Sequence, residues 1–185
     1  MCRHVYYLTG MGGRLDSGLG QGLLSRGLEV AGRELVGEFR KLDFQDQIEL
    51  IVEDLHSNFW QEDAHVIANS FGAYLFLHAQ AQMKPYIGRV ILLSPIVGEF
   101  SNEDTHMNFI PPRAEKLLRL AEDGIYPIPK TCEVHVGSDD WQSNPANVTA
   151  FGSKLGIDVT VVPNAGHNLP KEYVGALLDS WLAVD

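Results

Sequence analysis

A serine flanked by small residues is the part of this sequence best suited to chemistry. Ser70 lies in Ala68-Asn69-Ser70-Phe71-Gly72, with a small residue two positions before it and another two positions after it. This is a variant of the G-x-S-x-G nucleophile elbow, a tight turn that holds a serine hydroxyl above a sheet. The alternative is an ordinary helix N-cap, because serine is favoured at that position as well.

Two apolar runs flank the serine and would position it. Residues 64–68 have the length and composition of a buried strand, and the longer run from Gly72 is rich in good helix formers. A strand that enters the turn and a helix that leaves it are what the elbow requires. The pattern therefore predicts a strand–Ser70–helix unit.

Further strand and helix patterns alternate along the chain. Apolar runs of strand length predict strands at 5–8, 90–93, 132–136 and 159–162, and residues 29–36, of mixed polarity, are a further strand candidate. Helices are predicted over 17–27, after Asp43 as N-cap, after Asn144-Pro145 and from Pro170. This alternation predicts an α/β fold, with a mostly parallel sheet of about six strands and helices on both faces.

Composition sets limits on the class of protein. The chain has 185 residues, which predicts a single domain over 1–185, and the polar, proline-containing stretch at about 95–129 is predicted to form a small cap over the site. The formal net charge of −10, without any basic cluster, argues against a nucleic-acid partner. No apolar run approaches the roughly 20 residues of a membrane helix, and the N-terminus has no signal-peptide layout. Cys2 and Cys132 are predicted to be free thiols, which together with these features indicates a cytoplasmic protein.

Chemically useful residues recur where predicted strands end. Gly10-Met11-Gly12-Gly13 follows the first strand, Gly137-Ser138-Asp139-Asp140 a later one, and His167 comes after the last. Loops at the carboxyl ends of parallel strands meet at one edge of the sheet. Backbone donors, a serine, an aspartate and a histidine are therefore expected to lie close together.

These four motifs resemble those of the α/β-hydrolase superfamily, whose catalytic triad follows the order Ser, Asp or Glu, His. The resemblance covers essentially the whole chain, although Ala68 stands where glycine is usual. The usual antiparallel first pair of strands is missing from the pattern. In this compactness the sequence is similar to the small single-domain serine hydrolases of the retinoblastoma-binding-protein-9, or YdeN-like, group.

The resemblance implies a role for each residue. Ser70 would be the nucleophile, His167 its general base and Asp140 the acid that orients the imidazole, with the neighbouring Asp139 as the alternative acid. The backbone N–H groups of Met11 and Phe71 would form the oxyanion hole.

The cap supplies candidate substrate contacts, which are His106, Phe109 and, beside the acid loop, Trp141. Apolar residues at 100, 107, 109 and 110 favour a small or medium apolar acyl group. No histidine pair has zinc-ligand spacing, so neither a metal site nor a cofactor is expected.

The expected function is a serine hydrolase that cleaves carboxylic esters or thioesters of a small-molecule acyl substrate through an acyl-enzyme on Ser70. Two alternatives stay open at this point. One is a binding protein that has kept a hydrolase scaffold without using it for catalysis, since fold does not fix activity. The other is a peptidase or acyltransferase that uses the same triad. The sequence does not determine the oligomeric state.

Overall fold

The computed structural model describes residues 4–183, so Cys2 lies outside the described residues. The strands, in chain order, are β1 (His4–Met11), β2 (Glu29–Leu35), β3 (His65–Asn69), β4 (Arg89–Leu93), β5 (Phe100–Asn102), β6 (Met107–Phe109), β7 (Thr131–Gly137) and β8 (Asp158–Val162). Within residues 4–183, six of them form a parallel sheet in the order β2-β1-β3-β4-β7-β8. The remaining two, β5 and β6, pair with each other as an antiparallel hairpin.

Helices cover both faces of the sheet. They are α1 (Leu19–Leu24), α2 (Gly37–Lys41), α3 (Phe44–Asn58), α4 (Phe71–Gln80), α5 (Lys116–Glu122), α6 (Pro145–Leu155) and α7 (Lys171–Leu182). Side chains of α3, α4, α5 and α6 pack into one apolar cluster, and those of α1 and α7 pack into a second. The predicted α/β architecture is confirmed. In the part of the chain that is described, no helix has the length and apolar character to span a membrane.

Successive residues of the central strands point to opposite helix layers. Tyr6 and Val66 belong to the cluster with α3 to α6, whereas Val5 and Ile67 belong to the cluster with α1 and α7. Because both faces are buried, β3 and β4 carry continuous apolar runs, over 66–68 and 90–93, as is typical of parallel strands between two helix layers. This burial makes the sheet a rigid platform for the loops at its carboxyl edge.

Local chemistry explains where several helices begin and end. The Asn144 side chain accepts hydrogen bonds from the N–H groups of Ala146 and Asn147, and Pro145 opens α6, as predicted. The helix predicted over 17–27 is shorter than expected. It covers only Leu19–Leu24, because Gly18 and Gly27 adopt φ values of 54° and 76° that end the helical path.

The segment 95–129 contains the β5–β6 hairpin and α5, and the hairpin was not predicted. Each of its strands has only three residues, which is too short for a strand pattern to be recognised in the sequence. Aromatic side chains hold the hairpin in place. The Phe109 ring lies 5.0 Å from that of Phe100 and 6.2 Å from that of Phe71 at the start of α4.

Candidate active site

Ser70 occupies the tight turn between β3 and α4. Its φ of 55° is unusual for a residue other than glycine, and such strained backbone persists only where surrounding contacts impose it. Its N–H donates to the Leu93 carbonyl, and its own carbonyl accepts from the N–H groups of Tyr74 and Ile96. The serine stands at the N-cap position of α4, yet in the described part of the chain its side chain makes no capping hydrogen bond.

Close backbone approach explains the small residue after the serine. A Cβ atom on Gly72 would stand 2.3 Å from the Thr9 carbonyl oxygen and 2.5 Å from that of Leu8. No side chain fits at such distances, so α4 can lie against the end of β1 only with glycine at this position. The contact places the Gly10 loop beside Ser70, and a Cβ on Gly10 would be 3.2 Å from the Ser70 Cβ.

The Ser70 hydroxyl faces a histidine and an aspartate from two other loops. Ser70 Oγ and His167 Nε2 lie 2.7 Å apart. On the opposite side of the ring, His167 Nδ1 is 2.9 Å from Oδ2 and 3.0 Å from Oδ1 of Asp140. The loops after β3, β7 and β8 thus bring together the three side chains that the sequence singled out.

Asp140, and not Asp139, is the aspartate beside His167. The Asp140 side chain is 0% exposed, and its Oδ1 accepts hydrogen bonds of 2.9 Å from the N–H groups of both Gln142 and Ser143. Asp139 is exposed, and its N–H donates to the Ala165 carbonyl. The buried carboxylate is therefore oriented by two backbone donors as well as by the imidazole.

The acid loop and the histidine loop pack directly against each other. A Cβ on Gly137 would lie 2.2 Å from the carbonyl oxygen of Ala165 and 2.4 Å from that of Gly166. The Ser138 hydroxyl accepts from the Asn164 N–H at 2.9 Å. These contacts leave the two loops little freedom to separate, so they fix the spacing of Asp140 and His167.

Solved structures share the fold of this chain. The ydeN gene product of B. subtilis matches with a TM-score of 0.67 at 14% identity, over 98% of this chain and 99% of that one. A structure from a study of carboxylesterases of Nitrososphaera gargenis matches with a TM-score of 0.66 at 18% identity, over 99% and 90%. A protein of Pectobacterium atrosepticum described as a YdeN-like hydrolase matches with a TM-score of 0.63 at 15% identity, over 98% and 90%.

The chain has the α/β-hydrolase fold. The resemblance inferred from the motifs, including that to the YdeN-like group, is confirmed at the level of the fold. No protein-family model matches the chain, and no curated protein sequence matches it.

In this α/β-hydrolase fold the Ser70 side chain opens into a cavity of about 260 Å³, hereafter the Ser70 cavity. Gly10, Met11 and Phe71 line it on the side of β1 and α4. Phe71 is the first residue of α4, where backbone N–H groups have no acceptor within the helix. Both predicted oxyanion donors are thus residues of the cavity wall beside Ser70.

The predicted substrate contacts divide between two places. Phe109 lines the Ser70 cavity. His106 and Trp141 line a separate cavity against the hairpin instead, and His106 stands exposed in the β5–β6 turn with a φ of 51°. As far as residues 4–183 are described, the structure does not bring these two to Ser70.

Sequence reasoning missed several residues of the cavity wall, namely Ile96, Gln142 and Asn168. Asn168 directly follows the predicted histidine and Gln142 comes two residues after the predicted acid, so proximity in the sequence could have identified them. Ile96 carries no such indication. It reaches the site because its N–H bonds the Ser70 carbonyl at 3.3 Å.

Other reactive side chains lie apart from the Ser70 cavity. Burial, and then the charge of Glu133, raises the pKa of the Cys132 thiol to about 12, which keeps it protonated and unreactive. His135 Nδ1 lies 2.7 Å from the Tyr173 hydroxyl, and burial lowers the pKa of this histidine. Among residues 4–183, no group of three or more His, Cys, Asp or Glu side chains is arranged to hold a metal ion.

Proposed function

We propose that the protein is a serine hydrolase that cleaves carboxylic esters or thioesters through an acyl-enzyme on Ser70. One observation carries the proposal, which is the continuous contact from Ser70 Oγ through the His167 ring to Asp140, at 2.7 and 2.9 Å. These are the distances at which a histidine can take a proton from a serine while an aspartate orients it. The names of the structural neighbours, which include hydrolases and carboxylesterases, support the same class of reaction.

In the acylation step, His167 Nε2 removes the Ser70 proton as Oγ attacks the carbonyl carbon of the substrate. Asp140 accepts the Nδ1–H of the ring and stabilises the imidazolium that forms. The carbonyl oxygen becomes an oxyanion, held by the backbone N–H groups of Met11 and Phe71. The tetrahedral intermediate then collapses, the carbon–oxygen or carbon–sulphur bond breaks, and His167 gives its proton to the departing alcohol or thiol.

Deacylation repeats these steps with water as the nucleophile. His167 removes a proton from a water molecule, whose oxygen attacks the acyl carbon, and the same two N–H groups hold the second oxyanion. The bond to Ser70 Oγ breaks, Oγ recovers its proton from His167, and the carboxylic acid leaves. The protein's own side chains supply every proton transfer, so the reaction requires no cofactor.

The wall of the Ser70 cavity indicates which acyl groups fit. Ile96, Phe100 and Phe109 give it an apolar side, consistent with an acyl group of apolar character. Its volume of about 260 Å³ is below the range of about 300–1,000 Å³ typical of small-molecule sites. We therefore expect short acyl groups to be preferred.

A substrate panel tests the proposal. The purified protein should hydrolyse p-nitrophenyl acetate and butyrate faster than the octanoate, and short acyl-CoA thioesters should be tested beside them. Ser70→Ala should lower kcat by about 10⁴-fold or more, the scale seen when a triad serine is removed. Ser101→Ala, an exposed serine of the hairpin, serves as the control and should retain full activity. The proposal fails if no substrate is turned over, or if Ser70→Ala keeps more than about a tenth of the wild-type rate.

A further inference from the structure

A second, larger cavity adjoins the Ser70 cavity. Its volume is about 540 Å³, and it lies between α1 and α7. Asn69, His167 and Asn168 line both cavities. The histidine that faces Ser70 is therefore also part of the wall of this second space, hereafter the α1–α7 cavity.

The wall of the α1–α7 cavity is mainly apolar, and leucine and valine side chains supply most of it: Leu19, Leu93, Leu169, Val174 and Leu178. Glycines on the two helices leave the space open. A Cβ on Gly22 of α1 would find its nearest neighbour, Arg26 Nη1, at 3.7 Å, and one on Gly175 of α7 would find Arg26 Nη2 at 3.5 Å. Both are ordinary contact distances, so larger side chains could be accommodated at positions 22 and 175 and would reduce the volume of the α1–α7 cavity.

Arg26 fixes the separation of the two helices. Its Nε donates to Asp179 at 2.7 Å, Nη1 donates to the Gly22 carbonyl at 2.8 Å, and Nη2 donates to the Gly175 carbonyl at 3.1 Å. One side chain thus bonds both helices next to the two glycines. Because the guanidinium has its partners, it braces the cavity wall. Lys171 and Asn168 are also part of that wall, whose accessible surface is mainly apolar.

A strained residue forms part of the same wall. Ser94, directly after β4, has a φ of 45° and lines the α1–α7 cavity. Its hydroxyl is buried, and no partner for it is found among residues 4–183. Strained backbone clusters at binding and catalytic sites, and unsatisfied buried hydroxyls are rare in folded proteins.

We propose that the α1–α7 cavity binds the leaving group of the substrate, an apolar alcohol or thiol, while the Ser70 cavity binds the acyl group. The inference rests on the proposed ester or thioester hydrolysis. The leaving oxygen or sulphur takes its proton from His167 Nε2, so the leaving group lies against His167, and His167 is a wall of the α1–α7 cavity. The Ser70 cavity, at about 260 Å³, holds only one part of such a substrate, whereas the two cavities together fall within the usual range of about 300–1,000 Å³.

Two series of esters test the two cavities separately. One varies the leaving group, from methyl acetate to octyl acetate, with S-octyl thioacetate as the thiol arm. The other varies the acyl group, from p-nitrophenyl acetate to butyrate. Gly175→Leu should lower the ratio of kcat/KM for octyl acetate to that for methyl acetate by at least about tenfold, because excluded methylene groups cost this much in an apolar pocket. The ratio of kcat/KM for p-nitrophenyl butyrate to that for the acetate should change less than about twofold, because the acyl group lies in the Ser70 cavity.

Matched variants control for changes in the helices themselves. Ala176→Leu adds a side chain at the neighbouring exposed position of α7 and should leave both ratios unchanged. Gly22→Leu offers a second way to fill the cavity if Gly175→Leu does not fold, with exposed Gln21→Leu as its control. If the filling variants leave the leaving-group ratio unchanged, or change the acyl ratio instead, the proposal is overturned.

A binding measurement separates this proposal from the proposed function. Calorimetry with 1-octanol on Ser70→Ala should show binding that Gly175→Leu, added to that variant, weakens by at least about tenfold. If no ester is hydrolysed but this result holds, the hydrolase function fails and the apolar alcohol site stands. If esters are hydrolysed while 1-octanol does not bind and the leaving-group ratio does not respond, the hydrolase stands and the leaving-group site is refuted.

Discussion

The loops that carry Ser70, Asp140 and His167 differ from the β5–β6 hairpin in how they are held. In the loops, backbone packs on backbone, as at Gly72 and Gly137, where an added Cβ would lie 2.2–2.3 Å from a carbonyl oxygen. The hairpin is held by rings, and its Met107 side chain is 48% exposed. The first kind of contact fixes a position to a fraction of an ångström. Contacts between aromatic side chains can rearrange when one of the side chains is substituted.

The difference assigns the two regions separate tasks. A reaction needs its groups placed within a few tenths of an ångström, which close backbone contact provides. An apolar acyl pocket needs only suitable surface, which aromatic side chains provide. Changes in the loops should therefore lower the rate for every substrate, whereas changes in the hairpin should alter which substrate is preferred.

The largest expected effect within this comparison is at the acid loop. Asp140→Asn should lower kcat by at least about a thousandfold, because the amide can favour the wrong imidazole tautomer. Asp139→Asn, the matched neighbour, should lower it by less than about thirtyfold, since Asp139 is exposed. Steady-state kinetics on both variants tests this prediction, with circular dichroism to confirm that each is folded. A large loss at Asp139 alone would refute the assignment of Asp140.

The end of β1 and the loop that follows it, residues 10–13, should show the next largest effect. Gly12 has a φ of 76°, which a β-branched residue cannot adopt without strain, so Gly12→Val should distort the loop and cost about 100-fold in kcat. The Met11 side chain is 52% exposed, and its N–H survives replacement, so Met11→Leu should cost less than about tenfold. Small, equal effects from both substitutions in folded protein would argue against an oxyanion role for this loop.

A change in the hairpin should alter selectivity more than rate. Phe109→Ala enlarges the Ser70 cavity and should raise kcat/KM for p-nitrophenyl octanoate relative to the acetate by about tenfold. Met107→Ala, on the same strand but exposed, is the control and should leave that ratio unchanged. If Phe109→Ala instead abolished activity on every ester, the hairpin would be part of the reaction machinery and the proposed division of tasks would be wrong.

The smallest expected effect concerns stability where α4 meets the segment 95–129. Burial, together with the nearby charges of Lys116 and Arg113, lowers the pKa of His78 from 6.5 to about 3. Between these two values the unfolded chain binds a proton that the folded protein does not, so stability falls as pH is lowered through 6.5 towards 3.

Urea titrations at two pH values measure this effect. From pH 7.5 to pH 5.5, His78 should contribute a loss of about 1 kcal/mol in the free energy of unfolding. His78→Leu should show a correspondingly weaker pH dependence over the same interval. An identical dependence in the wild type and the variant would show that His78 is not the source.

Particular residues show how far the sequence predicts this molecule. Strands buried on both faces carry continuous apolar runs, so β3 and β4 could be predicted together with the loops at their ends. The small residues around Ser70 indicated the turn, because close backbone contact requires small residues and these are visible in the sequence. The resemblance to the α/β hydrolases favoured Asp140 over Asp139, and the structure places Asp140 beside His167.

What could not be predicted depends on packing between distant residues. The strands β5 and β6 have three residues each, and aromatic contacts hold them in place: Phe109 lies against Phe71 and Phe100, and Phe100 lies against Trp141. No local sequence pattern encodes those contacts, so the positions of His106 and Trp141 relative to Ser70 could not be predicted from the sequence. The α1–α7 cavity, whose wall includes Gly22 of α1 and Gly175 of α7, could not be predicted for the same reason.

The most direct test of the central claim is the covalent labelling of Ser70 by a fluorophosphonate. The activated hydroxyl should attack phosphorus and displace fluoride, giving one adduct per chain that peptide mass spectrometry locates on Ser70. Ser70→Ala should remove the adduct, and His167→Ala should slow its formation by about a thousandfold or more, because the base is lost. A folded protein that forms no adduct, or forms it on another serine, would contradict the account.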